Sequence, residues 1–245
     1  MDFTIELADR IIRIECKYEK TYYMCLRYLV DDKIPDFELK ITSKDILKEK
    51  KNFTKIPEDF KTIQYGYGDN YFEFLAVFRK IKECLISENI LLMHGAVVAL
   101  DDKGYMFTAP SGTGKTTHAK LWLKNIQGSY VVNGDKPLLK IDNDEVLAYG
   151  TPWSGKEGLN INDKVKLKAI CILERGSVNE ISEISYSKAF IKLYEQIYKP
   201  EKLNLLMRTF ELLDLLKDKV KFYKLKCNME NEAAIMAYNY LVSTE

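Results

Sequence analysis

The stretch FTAPSGTGKTTHAK, Phe107 to Lys120, decides how the rest of the chain is read. An apolar run ends at Phe107, small residues turn the chain between Ala109 and Gly114, and a helical pattern opens at Lys115. A strand, a glycine-rich turn and a helix in that order make a phosphate cradle. The amides of Ser111, Gly112, Thr113 and Gly114 can point inward, and the helix start adds partial positive charge. Lys115 brings a mobile positive charge toward the outer phosphates, Thr116 a hydroxyl suited to a phosphate-bound magnesium, and Thr117 is a further candidate for binding the nucleotide. Ala109 stands where the common GxxxxGKS/T pattern has its first glycine. A methyl group is tolerated there if the backbone keeps ordinary dihedral angles and the side chain turns away from the phosphates.

Outward from the loop, GSYVVNGD reads as a short strand ending at Asp135, where a carboxylate can coordinate magnesium directly or through water, or simply cap a turn. TPWSGKEG, Thr151 to Gly158, is a candidate second anion-facing turn, with Lys156 directed at phosphate or acceptor. Trp153 either stacks on a base or packs as a wall, and Glu157 is a local base or an ion-pair partner. His94, on the expected strand before the loop, either faces the phosphates or packs; His118 reads as local packing.

Alternation of Phe3, Ile5 and Leu7, then Ile12, Ile14 and Cys16, predicts two N-terminal strands, and FELKITS a third. KDILKEKKNFTKIPEDF reads as a solvated connector. From Tyr71 to Asn89 the period becomes helical, with Phe74, Phe78, Ile81 and Leu85 on one face and Glu73, Lys80, Lys82 and Glu83 on a polar side. MHGAVVAL and GYMFTA predict strands joined at DDKG, and LKAICILE a buried strand. YSKAFIKLYEQIY, LNLLMRTFELLDLLK and ENEAAIMAYNYLVS read as helices, with Pro200 between the first two and FYKLKC as a strand between the last two.

The 245 residues, 47% of them hydrophobic, suffice for one large domain or a principal domain with a smaller attachment. A net charge of +1 gives no global field for nucleic acid. The apolar neighbourhood ENILLMHGAVVALDD is too short and broken to span a bilayer, so no membrane association is expected. Cys16, Cys25, Cys84, Cys171 and Cys227 form no Cys-x-x-Cys pair and follow no secretory segment, which predicts reduced thiols in the cytoplasm. Two histidines without a ligand cluster argue against an all-protein zinc site.

The run from MHGAVVALDDKGYMFTAPSGTGKTTHAKLWL through SYVVNGDKP and TPWSGKEG resembles the bacterial HPr serine kinase and phosphoenolpyruvate carboxykinase-like superfamily, more narrowly the small HPr-kinase-like proteins associated with peptide modification. The resemblance covers roughly residues 90 to 176. It implies an α/β fold: a mixed-sheet HPr-kinase-like P-loop core over 71–245, with a small N-terminal α+β unit over 1–70 and C-terminal helices. It further implies ATP or another nucleoside triphosphate, Mg2+, and a kinase acting on a hydroxyl of a protein, peptide or small molecule. By that resemblance His94 matches the active-site histidine, Lys115 and Thr116 the phosphate and metal positions, and Asp135 the second of a pair of acids. Gly134 stands where the first acid belongs, the residue that helps activate the accepting hydroxyl. A nucleotide-binding accessory protein or slow NTPase is therefore the competing expectation, and a homo-oligomer is left open.

Overall fold

The computed structural model describes residues 1–54 and 68–243. The chain divides into two compact units, Met1–Cys84 and Leu85–Glu245.

In the first unit β1 (Asp2–Leu7) and β2 (Arg10–Glu15) form a hairpin whose two turn residues, Ala8 and Asp9, both take positive φ. That turn matches the twist of the paired strands. Alternation buries Phe3, Ile5, Leu7, Ile12 and Ile14. After α1 (Glu19–Met24), β3 (Phe37–Lys40) pairs parallel to β2. The expected connector is in fact a helix over its first part, α2 (Ser43–Thr54); the remainder of KDILKEKKNFTKIPEDF lies outside the described residues. Thr42 and Asp45 cap this helix reciprocally, the Thr42 amide donating to Asp45 Oδ2 at 2.9 Å and the Asp45 amide to Thr42 Oγ1 at 3.4 Å. Its charges are matched by α3 (Asp69–Ile86): Arg79 reaches Glu49 at 2.6 Å and Asp45 at 3.2 Å. Glu73 does not belong to a polar face. It is fully buried and accepts the Lys17 and Tyr18 amides, each at 2.7 Å.

The second unit contains β4 (Ile90–Leu92), β5 (Ala96–Leu100), β6 (Lys103–Thr108), α4 (Lys115–Asn125), β7 (Tyr130–Asn133), β8 (Leu138–Ile141), β9 (Val146–Tyr149), β10 (Lys164–Arg175), β11 (Glu180–Glu183), α5 (Tyr186–Gln196), α6 (Leu203–Leu215), β12 (Lys221–Cys227) and α7 (Asn231–Ser243). The strands form one mixed nine-stranded sheet in the order β4-β8-β9-β10-β6-β5-β7, with β12 pairing β10 and β11 pairing β12. The fold is α/β with helices on both faces. On one face Val165, Leu167, Ile170 and Ile172 of β10 pack with Ala189 and Leu193 of α5 and Leu212 and Leu213 of α6. On the other, Ala169, Cys171 and Leu173 pack with Ala119 and Trp122 of α4 and Ala233 and Ala237 of α7. The change from odd to even positions on the first face follows from the register shift between Leu167 and Ala169, since one extra residue inverts the alternation.

Strands β6, β10 and β12 are parallel, so their carboxyl ends, Thr108, Arg175 and Cys227, emerge along one edge of the sheet. Ligands of open α/β sheets bind at such an edge. Among the described residues, no helix is long and apolar enough to cross a membrane.

Candidate functional site

The chain leaves β6 at Thr108, turns through Ala109–Gly114 and enters α4 at Lys115. Gly114, the residue before the helix, has φ +126°, and Gly112 has φ +78°. Side chains rarely adopt these angles, whereas glycine does so freely. Ala109 keeps an ordinary backbone, and its side chain is buried in the core beneath α4, which explains why alanine is accepted there. The Lys115 ammonium is nearly buried and donates to the carbonyls of Ala109 at 2.9 Å and Pro110 at 3.1 Å. Burial lowers its pKa, and the negative charge of Asp135 opposes that shift. Thr116 is half-buried on the first helical turn, while Ser111, Gly112 and Thr117 are exposed.

One loop contact was invisible in the sequence. Arg175, at the end of β10, donates through Nη2 to Gly112 O and through Nε to Thr113 O, the latter at 3.2 Å. A guanidinium bound to loop carbonyls fixes their direction and leaves the amides facing the opposite way.

The acidic turn is built by Asn133, which has no exposed surface. Its Oδ1 accepts the amides of Asp135 at 2.9 Å and Lys136 at 2.7 Å, and its Nδ2 donates to Thr151 O at 3.1 Å and Thr151 Oγ1 at 3.0 Å. One side chain thus sets the turn and ties it to the start of TPWSGKEG. Asp135 is held from both sides: Oδ1 faces His94 Nε2 at 3.1 Å, and Oδ2 pairs with Lys136 Nζ. Burial would raise the carboxyl pKa, but the His94 hydrogen bond and the Lys136 charge outweigh it and hold the group at about 2. His94 sits between β4 and β5 rather than on a strand, with its amide bonded to Gln196 O at 2.8 Å and Nδ1 facing Gln196 Oε1 at 3.0 Å. Gln196, the last residue of α5, was likewise not legible as a partner.

Residues 151–160 lie over this turn. Gly155, at φ +78°, brings its backbone so near Asp135 that an added Cβ would stand 3.1 Å from the aspartate Cβ. At Gly134 a Cβ would stand 3.4 Å from Leu159 Cβ, Leu159 O and Ser154 O, so a side chain there would be directed at this segment. Trp153 is buried, which removes it as a platform for a base. Lys156 is exposed at the tip and, among the described residues, pairs with none of the other candidates; its neighbour Glu157 bonds Lys120 of α4 at 2.7 Å. His118 is a core residue, accepting the Trp122 Nε1 proton at 3.2 Å, and burial pushes its pKa down to about 4.

The structure therefore brings His94, Asp135 and Lys136 into contact, with Lys115 within electrostatic reach. Among curated proteins, none matches the sequence. The solved HPr(Ser) kinase/phosphatase from Coxiella burnetii is similar over 62% of this chain and 97% of its own, at 11% identity and a TM-score of 0.35. The family described as SynChlorMet cassette protein ScmC matches residues 71–233, which include the loop, the acidic turn and helices α4, α5 and α6. This chain belongs to that family.

Proposed function

We propose that the chain binds ATP or another nucleoside triphosphate with Mg2+ and transfers the terminal phosphoryl group to a hydroxyl, serine first among the candidates, of a protein, peptide or small molecule. One observation carries this reading: Thr108, where β6 runs into the glycine-hinged loop, donates to His94 O at 2.7 Å, and His94 stands 3.1 Å from Asp135, so the phosphate cradle and the acidic turn lie together. The donors present suit the group. Loop amides of Ser111–Gly114 and the Lys115 ammonium would hold the phosphates, Lys115 exchanging two backbone carbonyls for phosphate oxygens. The Thr116 hydroxyl and the ionised Asp135 would hold the magnesium, which when bound neutralises charge on the phosphates. His94 positions Asp135, and exposed Lys156 would meet the terminal phosphate or the acceptor.

A specific observation also supports a second reading, a nucleotide-binding accessory protein or slow NTPase. Both oxygens of Asp135 are engaged, and Gly134 offers no carboxylate, so no acid of this turn stands ready to accept a hydroxyl proton. The word "cassette" in the family description fits a protein that works beside others, which favours a peptide or protein partner in either reading. We place the chain in the cytoplasm, without nucleic-acid or membrane partners; self-association is a matter for sedimentation.

Calorimetry with Mg-ATP should show binding that Lys115→Ala abolishes. Labelled phosphate should then appear on a serine-containing peptide library. Binding with no labelled product would establish the accessory reading, and absence of binding would sink both.

A further inference from the structure

A cavity of about 390 Å³ opens beside the loop, and neither His94 nor Asp135 lines it. Its size falls within the range of about 300–1,000 Å³ usual for small-molecule sites. One wall is the loop and its helix, Gly112, Gly114, Thr117 and Leu121; the other is formed where β10 and β12 end, by Leu173, Arg175, Cys227 and Met229. Leu121, Leu173, Cys227 and Met229 make most of the surface apolar. Of the polar side chains, Arg175 holds the loop carbonyls, Asn228 Oδ1 accepts the Glu230 amide at 3.0 Å and His118 accepts from Trp122, which leaves the hydroxyls of Thr113 and Thr117 on the loop side. Met229 is 75% exposed at the mouth.

We propose that this cavity receives the nucleoside of the triphosphate, with the flat base between apolar walls and Met229 closing over it. The inference rests on the phosphate-loop reading. A triphosphate seated on the loop amides must leave its organic half at one end of the loop. The end toward Asp135 and Lys136 is charged, whereas the cavity is concave, apolar and continuous with the loop through Gly112 and Gly114. A planar base gains from apolar contact on its faces, and a thioether is a soft, adaptable cover for an aromatic ring.

The test compares Mg-ATP with magnesium and inorganic tripolyphosphate on the full chain. Leu121→Trp, which fills the cavity, should weaken ATP about tenfold or more and leave tripolyphosphate within about twofold. In the unaltered chain labelled on methionine methyls, with Met229→Leu used for assignment, ATP should move the Met229 signal and tripolyphosphate should not. Both ligands binding with equal affinity while the Met229 signal stays still would overturn the cavity assignment and leave the loop reading intact. Binding of neither ligand would overturn the loop reading and the assignment with it.

Discussion

Between Ala109 and Lys115 most of the shape is local: Gly112 and Gly114 take positive φ, and the lysine folds back on carbonyls five and six residues earlier, with Arg175 of β10 added on the carbonyls of Gly112 and Thr113. Between Asn133 and Lys136 one side chain of the turn, Asn133, takes the Asp135 and Lys136 amides but is itself held from outside by Thr151, while a histidine from the β4–β5 connection and a glycine strap close on Asp135. A self-shaped loop tolerates change in its surroundings, whereas an imposed turn fails when its organiser is lost. Asn133→Ala should therefore have the largest effect, about 3–5 kcal/mol, since it takes away the partner of the part-buried Asp135 and Lys136 amides and of the Thr151 carbonyl and leaves a hole where a fully buried amide stood. Urea unfolding measures this. A loss under about 1 kcal/mol would mean that the turn supports itself as the loop does, and the contrast would collapse.

On the loop's side the largest effect is one of pH. Burial holds His118 neutral with a pKa of about 4, against about 6.5 in the unfolded chain. Its contribution is complete above pH about 6.5 and is lost as pH falls toward about 4, because the unfolded state takes up the proton first; the full span amounts to about 3 kcal/mol. Stability curves for the chain and for His118→Gln should diverge across that window; parallel curves would show that the helix under the loop carries no such proton linkage.

What could be read in advance follows the same division. The phosphate loop, the hairpin turns and the amphipathic helices depend on residues close in sequence, so their spacing discloses them. Arg175 and Gln196 act on partners 62 to 63 and 102 residues away, and nothing in their own neighbourhoods marks them; Asn133, Gly134 and Lys136 read as a turn, but the tie of Asn133 to Thr151, 18 residues on, does not show in the spacing. α2 was hidden for the same reason: its carboxylates Asp45 and Glu49 look solvated until Arg79 of α3 meets them. Glu73 departs from the polar face its charge predicts because its two oxygens take the Lys17 and Tyr18 amides, which lets a carboxylate be buried.

Gly114→Ala and Ala109→Gly test the loop from its two ends. At Gly114 a Cβ meets nothing within 4 Å, so the cost is conformational, about 2 kcal/mol, with nucleotide affinity falling as the amides turn away. Ala109→Gly should cost only about 1 kcal/mol, the buried methyl and some chain entropy, and leave nucleotide affinity unchanged. Thermal unfolding paired with ATP titration separates the two. Equal losses of affinity would make Ala109 part of the cradle rather than of the core beneath it.

The smallest effect concerns the base itself. A site that reads a base edge with buried hydrogen-bonding groups discriminates strongly, because the wrong ligand leaves those groups unpaired; apolar walls discriminate by shape alone. In the cavity beside the loop, Arg175 is bound to Gly112 and Thr113, Asn228 closes its own turn and the remaining hydroxyls, Thr113 and Thr117, lie on the loop side, so a purine seated there would be gripped by its faces rather than its edges. ATP and GTP should accordingly compete within about fivefold of each other, near 1 kcal/mol. A preference above about a hundredfold would require a polar group of the cavity to read the base edge. Asn228 would then be the first candidate, since its amide could trade the Glu230 contact for the base, and Asn228→Ala would flatten the preference.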